Sequence, residues 1–272
     1  MIDFRLGDCL EIMKTLPSKS VELSFTSPPY NRKRNDKYQE FNDINGDWYE
    51  MNVNVINELL RVTKNHVIYN IQANYYNRAD VYKLIGLFNK EIVDIHIWEK
   101  SNPMPASGKA ITNAVEYFIV LGSKSLKSNK TYTKNIITTS VNSSMPKEHK
   151  AVMKYEVAKH FIKNFTQEND TILDCFLGYG TTAIVCDDLN RNCIGIELKE
   201  FYLDMSKKRV EKNKREKAEE QIKQAFIDGM KEQLSISRVV VPKDTLCDNN
   251  KNKLGMCNCC GDNNCHDDFC RG

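Results

Sequence analysis

Apolar positions along the chain follow two alternating rhythms. Short, nearly unbroken apolar runs recur: "VELSFT" (21–26), "HVIYNI" (66–71), "EIVDIHIWEK" (91–100), "AVEYFIVLG" (114–122), "TILDCF" (171–176) and "NCIGIEL" (192–198). Their length and branched side chains predict strands buried on both faces. "FRLGD" (4–8) opens as a further strand ending in Gly7-Asp8. Between the strands, apolar residues fall three or four apart, as Leu10, Met13 and Leu16 do in "CLEIMKTL" (9–16), and predict helices. The other helices are read at about 48–64, 79–88, 151–164 and 180–190, and a long charged one starts near Glu200. Strands alternating with helices predict an α/β chain built on a doubly wound, mainly parallel sheet.

Three stretches interrupt this pattern. Residues 31–47 read as a polar loop with charges of both signs, and "NRKRNDK" (31–37), directly after "SPPY", brings Arg32, Lys33 and Arg34 as positive charge suited to phosphate. Residues 123–148 read as a Ser/Thr/Lys-rich, loop-like insertion. Over 123–150 six lysines, including Lys124, Lys127, Lys130 and Lys134, face one acid, Glu148. A net-basic, hydroxyl-rich loop suits contact with phosphate, although a solvated insertion reads the same way. Past about residue 229 the chain turns polar and rich in Asn, Asp and Cys. The expected organisation is therefore a domain over 1–228 and a separate tail over 229–272.

Composition narrows the classes. A chain of 272 residues suits one large domain with an appendage, and a net charge of +3 is too small to specify an acidic partner. There is no basic-plus-apolar leader and no apolar run of membrane-spanning length, so the expected location is intracellular. Of ten cysteines, Cys9, Cys175, Cys186 and Cys193 sit among apolar neighbours and six crowd into 247–270, a distribution of reduced thiols rather than disulfide staples. In the tail, Cys257, Cys260, Cys265 and Cys270 have the spacing of a zinc knuckle with a fourth cysteine for the usual histidine. A zinc module and an unstructured tail with free thiols both fit.

Two strand ends carry candidate chemistry. After "TILDCF" comes "LGYGTTA" (177–183), in which Gly178 and Gly180 leave backbone bare and Thr181 and Thr182 stand where they can cap the next helix. The first N–H groups of a helix attract a negative group. The following strand ends in Glu197, placed as an acceptor for ribose hydroxyls; a tight turn with a surface acid is the simpler alternative. The other end is "FTSPPYN" (25–31), with Ser27, Pro28, Pro29 and Tyr30.

"DCFLGYGTTA" with "GIEL", and "TSPPY" before them, resemble the cofactor and catalytic loops of DNA amino-methyltransferases. "HKAVMKYEVAKHFIKNF" and "WEKSNPMPASGKAITNAVEYFIVLGSK" resemble further segments of that family, and the likeness spans about residues 3–210 in the permuted order called beta. The resemblance implies a Rossmann-like, S-adenosylmethionine-dependent fold, with the cofactor held by Asp8, Asp174, Phe176, Gly178, Gly180, Thr181, Thr182 and Glu197. An N-cap for the first helix is the other reading of Asp8. The resemblance further implies double-stranded DNA with a flipped target base, a recognition role for 123–148, a restriction-modification setting and a possible homodimer. Chemically, the exocyclic amine of a base is a poor nucleophile because its lone pair is delocalised. Ser27 Oγ and the Pro28 carbonyl would accept its two N–H bonds, the prolines would stiffen the loop, and Tyr30 would stack on the base. In the resembled family a serine before Pro-Pro is commoner in cytosine-N4 enzymes, so the resemblance implies cytosine N4. Adenine N6, an RNA or protein amide, and a non-catalytic nucleic-acid binder stay open as alternatives. Cytosine C5 chemistry needs an attacking thiolate, and this chain does not resemble the family that does it, which carries a Pro-Cys dipeptide.

Overall fold

The computed structural model describes residues 1–31, 47–103, 112–125, 129, 134–141 and 152–237, with side chains described as far as residue 231. In chain order the elements are β1 (Ile2–Leu6), α1 (Cys9–Lys14), β2 (Val21–Thr26), α2 (Trp48–Val62), β3 (Thr63–Ile71), α3 (Arg78–Leu87), β4 (Ile92–Lys100), β5 (Val115–Gly122), β6 (Ile136–Thr139), α4 (Tyr155–Phe165), β7 (Thr171–Asp174), α5 (Thr181–Asp188), β8 (Asn192–Glu197) and α6 (Glu200–Ser237). The strands form one sheet in the order β1-β8-β7-β2-β3-β5-β4-β6. β5 runs antiparallel to both β3 and β4, and the other pairings are parallel. The expected α/β fold with a mainly parallel sheet is therefore what forms.

Both faces of the sheet are covered. On one side α1, α2 and α3 bury Met13, Val55, Leu59 and Leu84 against Val67, Tyr69 and Ile71. On the other, α4, α5 and the start of α6 bury Phe161, Val185 and Leu203 against Leu23, Ile68, Phe118 and Ile172. The four described cysteines are reduced and buried in these layers. Hydrogen bonds from side chains join elements inside the fold. Arg61 of α2 donates to the Met13 and Leu16 carbonyls at the end of α1, and Tyr69 donates to Asn52 at 2.5 Å.

The chain divides into two compact units, Met1–Lys214 and Arg215–Gly272. Unit one contains the whole sheet and α6 as far as Lys214. Unit two begins within α6, whose residues Ile222, Phe226 and Met230 are exposed. The boundary expected at residue 229 falls inside this helix. Among the described residues no helix is long and apolar enough to cross a membrane.

One element departs from expectation. Residues 136–139, read as loop within the 123–148 insertion, form β6 on the sheet edge. Only Ile137 of "IITT" is buried, and the strand is held by Trp98 Nε1 donating to Thr139 Oγ1 at 2.8 Å. A four-residue edge strand with one buried side chain gives almost no apolar signal.

Candidate active site

β7 and β2 lie side by side and parallel at the centre of the sheet. From β7 the chain winds through α5 to β8 on one side, and from β2 through α2 to β3 on the other. The strand order therefore reverses between them. Crevices outside the carboxyl ends of strands at such a switch point are where open α/β sheets bind ligands.

The two strand ends are tied together by Asp174. This carboxylate is buried, and its Oδ1 accepts from Thr26 Oγ1 at 2.7 Å and from Phe176 N at 3.1 Å, while Oδ2 accepts from Thr182 Oγ1 at 2.6 Å. Phe176 N also donates to Thr26 Oγ1 at 3.2 Å. One side chain thus joins the end of β2, the turn after β7 and the first turn of α5. Burial pushes the Asp174 carboxyl up, and the donors from Thr182, Thr26 and Phe176 pull it back.

The turn from β7 into α5 is glycine-dependent. Gly180 is the N-cap of α5 in the left-handed region at φ 78°, and a Cβ built there would stand 2.8 Å from Ser206 Cβ of α6. Ser206 Oγ donates to Gly178 O at 2.6 Å, and the Arg209 guanidinium lies 4.0 Å from the Tyr179 ring centroid while Nη1 donates to the Tyr179 carbonyl. α6 therefore braces the loop. Thr181 and Thr182 do not cap the helix as expected: both lie inside it, with Thr181 Oγ1 on the Met153 carbonyl and Thr182 Oγ1 on Asp174. The cap position belongs to Gly180, because the loop turns through a conformation that threonine resists.

At the end of β8, Glu197 Oε2 accepts from Gly178 N at 2.9 Å and Oε1 from Lys199 N at 3.0 Å. Burial raises this carboxyl, and the two N–H donors oppose the rise. β1 pairs with β8, and Gly7 N donates to Glu197 O at 2.9 Å, which brings Asp8 to the same rim. Asp8 Oδ1 caps α1, accepting from Leu10 N at 2.9 Å and Glu11 N at 3.2 Å. The capping reading of Asp8 is observed, and it employs one carboxylate oxygen.

The other loop is held at several points. Pro28 is buried and Ser27, Pro29 and Tyr30 are half-buried. Trp48 Nε1 donates to Pro29 O at 2.6 Å, and Asn74 and Asn77 side-chain amides donate to Tyr30 O at 2.7 and 2.9 Å. Ser27 Oγ donates to Asn70 Oδ1 at 3.0 Å and lies 2.9 Å from the Tyr30 hydroxyl. That hydroxyl reaches Asn70 Oδ1 at 2.5 Å and Glu116 Oε2 at 3.0 Å. Asn70 Nδ2 donates to Tyr117 O at 3.2 Å, which fixes its amide with oxygen toward the hydroxyls. Glu116 Oε1 pairs with Lys100 Nζ at 2.6 Å, the two side chains being 7% and 11% exposed. Both O–H protons thus have acceptors inside the protein, so the remaining lone pairs of Ser27 are the ones available to a substrate N–H.

Sequence reasoning found neither Asn70, Glu116 and Lys100, nor Asn74, Asn77 and Arg209. Asparagines at the end of the apolar run "HVIYNIQANYYN" were the available signal. Glu116 opens β5, and because β5 is the reversed strand its first residues reach the rim where the parallel strands finish. The same reversal places a residue of the basic insertion. β5 ends beside the start of β3, with Gly122 opposite His66, so exposed Lys124 lies at the edge of the sheet away from Ser27. Exposed Lys134 precedes β6, which pairs with the last part of β4, Ile97 to Lys100, level with the end of β3. Arg32, Lys33, Arg34, Lys127 and Lys130, and the tail cysteines Cys257, Cys260, Cys265 and Cys270, lie outside the described residues.

Against known proteins, the family described as DNA methylase matches residues 21–208. The Type II methyltransferase M.HinfI of Haemophilus influenzae is 28% identical over 243 residues, covering 75% of this chain and 67% of that protein. Among solved structures, PvuII DNA methyltransferase (cytosine-N4-specific) aligns with a TM-score of 0.64 at 18% identity, over 79% of this chain and 90% of that one. The complex of M1.HpyAVI with SAM aligns with a TM-score of 0.55 at 23% identity, over 77% of this chain and 100% of that one. These two likenesses establish a shared fold.

Proposed function

The chain belongs to the DNA methylase family, and from that premise we propose that it moves a methyl group from S-adenosylmethionine to the N4 amino group of cytosine in DNA. One observation carries the reading: Ser27, whose proton Asn70 accepts, stands on a strand end that Asp174 ties to the glycine loop.

The residues present fit the cofactor. Gly178 and Gly180 present bare backbone, with φ 53° and 78°, and a side chain at Gly180 would collide with Ser206; Glu197 offers acceptor capacity beyond two backbone N–H groups, and Asp8 keeps one oxygen outside its cap. Asp174, Thr181 and Thr182 shape the loop from beneath, and Phe176 flanks it. When bound, S-adenosylmethionine supplies an electrophilic methyl on a sulfonium.

The protein's own part is to prepare the amine. Ser27 Oγ and the Pro28 carbonyl accept its two N–H bonds and favour a pyramidal nitrogen whose lone pair leaves the ring system. Neither proline can donate a hydrogen bond, and their fixed φ keeps the carbonyls aimed. Tyr30, anchored through its hydroxyl, offers its ring to a base drawn out of the duplex. A hydroxyl accepts less strongly than a carboxylate, and serine at this place favours cytosine over adenine N6 in our reading. In this reading the enzyme works on intracellular double-stranded DNA, as the modification half of a restriction-modification pair. Nucleoside mass spectrometry of DNA incubated with enzyme and cofactor tests it: N4-methylcytosine is expected, N6-methyladenine would transfer the mechanism to the other base, and an unmodified product would overturn it.

We also read residues 1–228 as the catalytic part and 229–272 as an appended tail. A chain ending at about 229 is expected to melt cooperatively and to bind S-adenosylmethionine as the full chain does. An insoluble or cofactor-blind fragment would refute that division.

A further inference from the structure

The catalytic rim carries an aromatic feature that the chemistry above does not employ. Tyr75 and Tyr76, in the turn between β3 and α3, are 70% and 51% exposed. Their rings meet edge to face, with centroids 5.2 Å apart at 88°, and the exposed Arg78 guanidinium stands 5.9 Å from the Tyr75 centroid. Adjacent tyrosines this exposed bury little apolar area and contribute little to folding.

The turn is nevertheless rigid. Asn74 Oδ1 accepts from Tyr76 N at 2.8 Å, Asn77 Oδ1 accepts from Asn74 N at 2.7 Å, and Arg78 N donates to Asn74 O at 3.0 Å. It is also fastened to the catalytic loop, because the amides of Asn74 and Asn77 both donate to the Tyr30 carbonyl. The turn that bears the exposed rings is therefore fixed to the loop of Ser27 and Tyr30. Meanwhile Lys124 follows β5 at the opposite end of the sheet, beside the start of β3, and so does not reach this rim.

We propose that Tyr75, Tyr76 and Arg78 form a stacking platform for DNA bases flanking the target nucleotide. Extruding a base leaves its neighbours with an uncovered face, and aromatic rings replace lost stacking without regard to sequence. Arg78, beside the ring, adds a phosphate contact. The proposal rests on the methyltransferase reading and adds to it a surface for the strand.

The test uses the full chain and methylation of unmethylated plasmid DNA with labelled S-adenosylmethionine. Replacing the pair (Tyr75→Ala with Tyr76→Ala) is expected to lower kcat/KM for DNA by about 5- to 150-fold, from the usual worth of base–aromatic stacking, mostly through KM. Cofactor affinity by calorimetry and the thermal midpoint should be unchanged, since both side chains are exposed. The phenylalanine pair (Tyr75→Phe with Tyr76→Phe) should retain wild-type efficiency. Arg78→Ala should reduce the salt dependence of DNA binding by about one unit of slope, and the tyrosine variants should leave that slope alone. An alanine pair as efficient as wild type overturns the platform while leaving the methyltransferase reading intact. So does a phenylalanine pair as weak as the alanine pair, which would assign the effect to the hydroxyls. A wild-type enzyme that methylates no DNA overturns the underlying reading, and the platform with it.

Discussion

The role proposed for Ser27 depends on its neighbours. A hydroxyl both donates and accepts, and only an acceptor helps an amine that must lose its conjugation. Asn70 Oδ1 takes the proton, and the Tyr117 carbonyl keeps the Asn70 amide from turning over. Ser27→Ala should therefore cut methyl transfer by about 10²- to 10³-fold, in the range of losing one well-placed polar group at a reacting centre, without changing cofactor affinity. Asn70→Ala should cost about 1–3 kcal/mol of the same barrier by returning the Ser27 proton to competition. Single-turnover rates and calorimetry check both, and an Asn70 variant with the wild-type rate would remove the residue from the mechanism. The Ser27–Tyr30 group was legible because its residues are contiguous and its prolines unusual at a strand end. Asn70 and Glu116 were not, lying 43 residues from Ser27 and 86 from Tyr30 and made neighbours by strand pairing alone.

At the scale of elements, the site depends on how turns leave strands. Gly180 starts α5 in a left-handed conformation against Ser206, so Gly180→Ala should cost about 1–3 kcal/mol from backbone strain, with the contact to α6 adding to it. Urea denaturation should show that loss, and S-adenosylmethionine affinity should fall with it; an alanine variant of native stability would refute the strain argument. Periodicity identified both glycines as loop residues and nearly every helix and strand. It was silent on direction. β5 has the same apolar run whether it ascends or descends, and its reversal decides that Glu116 reaches the rim and Lys124 does not. β6 escaped because it is flanked by Asn135 and Ser140 and its own burial is one isoleucine. Arg209 lay in a charged helix segment that read as solvated, yet it covers Tyr179.

The whole molecule adds a dependence on acidity. His66 and His96 are both held below the ordinary value of 6.5 mainly by burial, and for His96 the pull of Asp94 is the weaker influence. Above pH 6.5 folded and unfolded chains are alike neutral at these rings, and their contribution to stability is complete. As pH falls below 6.5 the unfolded chain takes up protons that the fold refuses, so stability drops toward the depressed folded values. Asp174 and Glu197, pushed up by burial, act in the opposite sense nearer the carboxylate range. The urea midpoint should fall between pH 7.5 and 5.5, and His96→Phe, placed among the rings of Phe161 and Phe165, should flatten that fall; an unchanged slope would refute it. The clamp between Thr26 and Asp174 spans 148 residues of chain. On the ribosome, the N-terminal half must therefore wait with one edge of β2 bare until β7 has emerged, open to stray pairing and in need of shelter by a chaperone. A chain whose synthesis stops before that point has its serine and prolines but lacks the glycine loop to which Asp174 ties them.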